Sequence, residues 1–288
     1  MSFLARASAD ARRAAEQRAA HLPLAELRRA AASAPPARGL RAALARPRAG
    51  PGRPSGHPVA LIAEVKRRSP SRGELRPDLD PAALADAYRR GGASAVSVLT
   101  EPLHFSGSPE DLQKVRAAVD LPVLRKDFVT TPYQVWEARA WGADAVLLIV
   151  AALDRGLLAD LLAEAAAAGL DALVEVHTRE EAAAGGAAGA GLIGVNARDL
   201  ATLAVDLGRF AAVRDALPAG ATVVAESGIR TRADVEAVAA AGADAVLVGE
   251  TLVLAPDPEA AAAGLLGRGR SIAPGGRALT SDAATKDG

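Results

Sequence analysis

Three near-copies of one pentamer narrow what this chain can fold into. Gly92-Ala93-Ser94-Ala95-Val96, Gly142-Ala143-Asp144-Ala145-Val146 and Gly242-Ala243-Asp244-Ala245-Val246 stand 50 and 100 residues apart. Gly191-Leu192-Ile193-Gly194-Val195 falls close to the empty slot between the last two. Each copy follows an Ala-rich helical segment and opens an apolar β run, which puts glycine at a helix C-terminus. Further short strands read between them, at 122–124, 171–176 and 222–225. The implied unit is one strand plus one helix, about 25 residues in all, recurring eight times between residues 60 and 270.

The expected strands are 60–66, 95–100, 122–125, 145–150, 171–176, 192–195, 222–225 and 245–248. Eight alternating units of this size predict an α/β fold, a closed (β/α)8 TIM barrel. A doubly wound open sheet is the alternative. It needs a Gly-rich turn after the first strand, where this chain has Arg67-Arg68-Ser69-Pro70. Ahead of the barrel, residues 1–33 read as one or two Ala-rich helices, Pro35-Pro36 ends them, and 49–58 is a Gly/Pro linker. The expected division is therefore a helical extension with linker at 1–58, the barrel at 59–267 and a disordered tail at 268–288.

Composition restricts the function classes. No apolar run approaches a membrane span. The absence of cysteine excludes disulfides and thiolate chemistry and favours a cytoplasmic location. Residues 1–56 hold eleven arginines against Asp10, Glu16 and Glu26, a balance of +8 in a chain of zero net charge. No aromatic or glycine-rich pattern accompanies that charge, so a solvated helical arm is expected rather than a nucleic-acid-binding one.

Arginine is used almost wherever a positive charge suffices: of 34 basic residues only Lys66, Lys114, Lys126 and Lys286 are lysine, and Asn196 is the single asparagine. In a TIM barrel the active site lies at the C-terminal ends of the strands. Glu64, Lys66 and Ser69 follow the first strand, and Thr100-Glu101 the second. Arg125-Lys126-Asp127-Phe128 ends the third, Glu175 and His177 the fifth, Asn196 and Arg198 the sixth. Glu226-Ser227-Gly228 ends the seventh and Gly249-Glu250 the eighth. Two of the four lysines and the only asparagine thus land on one rim. Glu64 and Lys66, two residues apart on a strand, project to the same side.

Glycines just after strands seven and eight leave backbone N–H groups open to a phosphate. Lys126 and Glu175 read as an acid–base pair, with burial expected to lower the ammonium's pKa and raise the carboxylate's. His177 reads as a capping residue and His104 as a loop residue, neither catalytic. No cluster has metal-ligand spacing, so no metal is expected.

Five stretches in order match a known family: Ile62-Ala63-Glu64-Val65-Lys66 with Ser69-Pro70-Ser71, Leu124-Arg125-Lys126-Asp127-Phe128, Leu173-Val174-Glu175-Val176-His177, Ile193-Gly194-Val195-Asn196 with Arg198-Asp199-Leu200, and Glu226-Ser227-Gly228-Ile229. On these the chain resembles indole-3-glycerol phosphate synthase, the tryptophan-pathway barrel.

The resemblance implies ring closure, decarboxylation and dehydration of 1-(2-carboxyphenylamino)-1-deoxyribulose 5-phosphate. Lys126 would be the general acid and Glu175 the general base, with Glu64 orienting the lysines. Lys66 would bind the anionic substrate and take part in the dehydration. Asn196 and Arg198 would hold the anilino and carboxylate end, with Phe128 as an apolar wall. Ser69 and Glu226 would also contact substrate, and Ser227, Gly228, Gly249 and Glu250, the last through its backbone, would seat the phosphate. The resemblance further implies N-terminal helices partly covering the barrel. No cofactor is implied, and the expected partner is a small phosphorylated substrate, with no nucleic acid or membrane and a monomeric state. Ala197 and Ala204 depart from the family's usual residues, at neither the proposed acid nor the base. The alternatives are another phosphate-binding barrel, such as a ribulose-phosphate epimerase or a phosphoribosylanthranilate isomerase, or a barrel that binds a phosphorylated ligand without turning it over. The epimerase would want metal ligands and the isomerase a cysteine, which this chain lacks.

Overall fold

The computed structural model describes residues 2–45, 59–199, 204–206 and 208–268. The expected linker at 49–58 and all but the first residue of the expected tail lie outside them. Eight parallel strands close into a barrel in sequence order: β1 Ala60–Val65, β2 Ala95–Leu99, β3 Val123–Lys126, β4 Ala145–Ile149, β5 Asp171–Val176, β6 Leu192–Asn196, β7 Thr222–Glu226 and β8 Ala245–Val248, with β8 pairing back on β1. The strands are nearly those expected. β3 runs one residue further, to Lys126, because Leu99 and Lys126 pair across β2 and β3.

The outer helices are α4 Pro81–Arg90, α6 Pro109–Ala118, α7 Pro132–Ala140, α8 Arg155–Ala167, α9 Arg179–Ala187, α10 Gly208–Val213, α11 Arg232–Ala240 and α13 Pro258–Leu265. The short α5 Pro102–Phe105 and α12 Glu250–Val253 sit in loops, and α1 Phe3–His21, α2 Leu24–Ala32 and α3 Leu40–Leu44 precede β1. Four of the outer helices open on a polar cap followed by proline: Asp80-Pro81, Ser108-Pro109, Thr131-Pro132 and Asp257-Pro258. The cap oxygen accepts first-turn N–H groups, while proline has no N–H to leave unpaired. The helix after β7 starts at Arg232, where Thr231 and Asp234 form a capping box.

The pentamer repeat now has a physical account. Its first glycine takes the left-handed conformation that ends a helix, at Gly92, Gly142 and Gly242 (φ 92, 89 and 102). Its aspartate reaches back one strand: Asp144 accepts the Val123 N–H at 2.8 Å and Asp244 the Val223 N–H at 3.0 Å. In the fourth copy, ahead of β6, the turn glycine is Gly189 (φ 89), not Gly191, so the slot is Gly189 to Ile193. Gly191 replaces the aspartate there, and a Cβ on it would stand 2.5 Å from an Arg41 nitrogen.

Strand side chains alternate between two apolar clusters. Leu61, Ala63, Val96, Val98, Val146 and Val223 pack outward under the helices, while Ile62, Leu124, Leu147, Leu173, Val224 and Leu247 fill the barrel. Four alanines, Ala60, Ala95, Ala145 and Ala245, line its N-terminal end and leave room for Leu40 and Leu44, both fully buried. α3 is thus a plug in the barrel floor, a role that sequence reading did not anticipate. It is pinned by Arg38 N–H to Asp144 at 2.6 Å and Arg41 N–H to Asp171 at 2.8 Å.

At the opposite end α1 brings Phe3, Leu4 and Ala7 onto the same interior cluster. Between the two ends α2 packs along α7 through Leu27, Tyr133 and Trp136. Many arginines of the basic arm serve as tethers. Arg18 grips Glu137 through two nitrogens, Arg28 meets Glu164 at 2.9 Å, and Arg38 donates to the carbonyls of Val119 and Leu121.

Candidate active site

The interior layer nearest the C-terminal end of the barrel is charged instead of apolar. Strand alternation carries Glu64, Lys126, Glu175, Asn196 and Glu226 inward, each at or near its strand's end. They line a cleft of about 1230 Å³, its open mouth included, together with Lys66, Ser69, Phe128, Arg198, Ser227, Gly228, Gly249 and Glu250. Every site residue expected from the sequence borders this one cleft. Among the described residues no group of three or more His, Cys, Asp or Glu could hold a metal.

Lys126 Nζ stands 3.4 Å from Glu175 Oε2 and 3.6 Å from Glu226 Oε2. The other Glu175 oxygen, Oε1, accepts from Asn196 Nδ2 at 3.0 Å. Glu64 pairs with Lys66 at 2.8 Å through Oε1, while Ser97 Oγ reaches its Oε2 at 3.4 Å. Glu226 Oε1 is buried with no hydrogen-bond partner. A single asparagine therefore fixes one edge of Glu175 and leaves the other toward the lysine.

The electrostatics reverse the expected direction for the proposed pair. Burial alone would pull Lys126 down, but Glu175, Glu226 and Glu64 around one ammonium outweigh it and hold the pKa above the usual lysine value. Burial alone would likewise push Glu175 up, and the facing Lys126, with His177 and Asn196, instead holds it below the carboxylate range. Glu226 is the carboxylate that rises, because burial and the neighbouring Glu175 and Glu64 charges exceed the pull of Lys126. Glu64 stays low despite burial, through Lys66 and Lys126.

At the rim after β7 and β8, Ser227 (φ 67) and Gly228 (φ 80) both take left-handed backbone. Strain at a non-glycine such as Ser227 persists where surroundings dictate it, often at ligand sites. The helix after β8, α12, opens on Gly249 with no side-chain cap, unlike the capped α4, α6, α7, α9 and α11. A Cβ on Gly249 would stand 2.5 Å from Glu64 Oε1 and 3.0 Å from Lys66 Nζ. The Glu250 carboxylate is held away from its own backbone by Arg72 at 3.3 Å and Arg198 at 3.7 Å.

The model of one protein family, described as indole-3-glycerol phosphate synthase, matches residues 4–265. The chain belongs to that family. Indole-3-glycerol phosphate synthase of Mycobacterium avium (strain 104) is 54% identical over 252 residues, covering 88% of this chain and 89% of the relative. The enzyme of the same name from Mycolicibacterium gilvum (strain PYR-GCK) is 58% identical over 211 residues, 73% and 78% of the two chains. Among solved structures, a 3-hexulose-6-phosphate synthase superposes with a TM-score of 0.59 at 21% identity, covering 74% of this chain and all of that one. A thiamine phosphate pyrophosphorylase from Pyrococcus furiosus gives 0.55 at 20% identity, over 72% and 93%. At such identities the structural likeness speaks for the barrel alone.

Three residues that line this family member's cleft, and one buried behind it, escaped sequence reading. Phe3 and Phe105 join Phe128 in an aromatic wall, with ring centroids of Phe3 and Phe105 each 6.2 Å from Phe128. Arg230 lines the mouth beside Ser227 and Gly228. His177 is buried beside Glu175 instead of capping a helix at the surface. Its signal was available: two residues after Glu175 on a strand, it shares that side chain's direction. Two rim residues are spent structurally. Glu101 accepts three N–H groups of α5, and Arg125 turns into the helical shell to pair with Asp127 at 2.9 Å.

Proposed function

We propose that this chain converts 1-(2-carboxyphenylamino)-1-deoxyribulose 5-phosphate to indole-3-glycerol phosphate, releasing carbon dioxide and water. The observation that carries the reading is the ammonium of Lys126 held between Glu175 and Glu226 at the base of a cleft whose rim opens backbone N–H groups. Family membership agrees with it.

In this reading the phosphate sits over Ser227, Gly228, Gly249 and the Glu250 N–H, which supply dipoles and no fixed anion. Lys66 and Arg198 face the rest of the anionic substrate, with Ser69 alongside, and the aryl ring lies against Phe128. As the carboxyl-bearing ring carbon attacks the ribulose carbonyl, negative charge grows on its oxygen. Lys126, kept protonated by its three carboxylates, donates a proton there. The ring nitrogen becomes iminium-like and serves as the electron sink into which the carboxylate bond breaks. Carbon dioxide leaves and the ring regains aromaticity. The new hydroxyl then leaves as water with a proton from Lys66 or Lys126. Glu175, ionised and aimed by Asn196, removes the proton whose loss completes the indole double bond. Glu64 holds Lys66 in place, and Glu226 flanks Lys126.

A fluorescence assay for the indole product on purified protein tests the assignment, with Lys126→Ala alongside. Turnover is expected from the native chain, and a loss of at least roughly a hundredfold in kcat for the variant, the lower end of what a positioned general acid contributes. An inactive native chain would favour the silent phosphate-binding barrel, and a fully active variant would move the acid role elsewhere.

A further inference from the structure

His177 stands one residue past the end of β5, its ring turned to the same side as Glu175, and it is 7% exposed. Its Nε2 stands 3.3 Å from Glu175 Oε1, short of hydrogen-bond alignment, and its Nδ1 lies 3.1 Å from Glu181 Oε2. The same Glu181 oxygen accepts the His177 backbone N–H at 2.6 Å. Glu181 is anchored in turn, being in the first turn of α9, where Thr178 caps its N–H. Ring, backbone and helix are thus locked as one unit behind Glu175, on the oxygen turned away from Lys126.

We propose that His177, clamped by Glu181, is a positioning residue that keeps the Glu175 carboxylate ionised and correctly turned for proton abstraction. The inference rests on Glu175 acting as the base. A cation between two carboxylates is stabilised by both, and in return each carboxylate resists protonation. The charged groups that face the ring come from several elements: Glu175 on β5, Glu181 on α9 and Glu226 on β7, with Lys126 on β3 across Glu175. Burial would discharge the imidazole, but Glu175 and Glu181 outweigh it and hold its pKa up at about 9. The arrangement uses one Glu175 oxygen for Asn196 and His177 and leaves the other facing Lys126 and the cleft.

The test combines kinetics with ring NMR on the full chain. Four histidines are present, so His177→Gln assigns the signal by its disappearance. In the native protein one imidazole should remain protonated well above the ordinary value of about 6.5. Glu181→Gln, which keeps an acceptor for the backbone N–H, should move that titration down. His177→Gln should lower kcat about tenfold, part of the contribution of a well-aimed base, while KM changes less than about threefold. Glu181→Gln should lower kcat in the same sense by a smaller factor. Should His177→Gln fail to fold, the partly exposed Glu181→Gln carries both readouts alone. The proposal is overturned if no histidine titrates late, or if either variant folds and keeps native kcat. If the native chain turns over substrate but Glu175→Gln does too, the base assignment fails first and this inference with it.

Discussion

Among single residues, the glycines say most about how tightly the charged layer is built. Gly194 sits inward on β6, and a Cβ there would come 1.9 Å from Glu226 Oε1. The Glu226 carboxylate would have to swing to clear it, and the same carboxylate stands 3.6 Å from Lys126 through its other oxygen. Gly194→Ala should therefore cost about 1–3 kcal/mol of stability through overpacking. It should also cost at least about tenfold in kcat, since misplacements near 1 Å are felt strongly. Thermal denaturation and steady-state kinetics check both, and native kcat would mean that the placement of Glu226 is irrelevant. The sequence identified Lys126 and Glu175 by rarity and by strand position, and the structure brings them together. It did not reveal the direction of their pKa shifts, because that depends on Glu64 and Glu226 arriving from two other strands. It also could not reveal that Gly194 is a clearance. On paper that glycine belonged to a repeat.

For elements, strand boundaries were legible because most units carry the same signals: glycine ahead of the strand, then an apolar run. What the signals do not carry is how neighbouring strands are tied. Asp144 accepts the N–H groups of Val123 and Arg38 and pairs with Arg116 at 2.9 Å, with its side chain fully buried. One carboxylate thereby joins β3, β4 and the segment leading to α3. Asp144→Ala strands two N–H donors and a guanidinium, and should destabilise the fold by about 3–5 kcal/mol, the cost of breaking a buried pair. Chemical denaturation measures this. Asp144→Asn, which keeps an acceptor, should recover part of the loss, and equal losses for the two would show that charge alone matters. The same position holds glycine at 191, where Arg41 passes, so the departure from the repeat marks where the plug is threaded.

For the whole molecule, the extension before β1 plugs the barrel at one end and borders the cleft at the other, and sequence reading anticipated only the second. The reason is physical: Leu40 and Leu44 look like any short apolar pair until Ala60, Ala95, Ala145 and Ala245 are seen to leave a hollow beneath them. The two ends should separate in experiment. Leu44 is fully buried, far along the barrel axis from Lys126, so Leu44→Ala opens a cavity in the floor. It should cost about 2–5 kcal/mol while leaving KM and kcat near native at temperatures where the protein stays folded. Phe3 borders the cleft and meets Phe128 edge-on. Phe3→Ala should barely change stability, since a helix terminus contributes little to the core. It should raise KM about threefold to tenfold, the share of one edge-to-face aromatic contact and its area, with kcat largely kept. Denaturation midpoints and steady-state constants for both variants decide the matter. A Leu44→Ala enzyme with altered KM, or a Phe3→Ala enzyme with native KM, would mean that floor and roof are not independent parts and that α1 does not shape the substrate's seat.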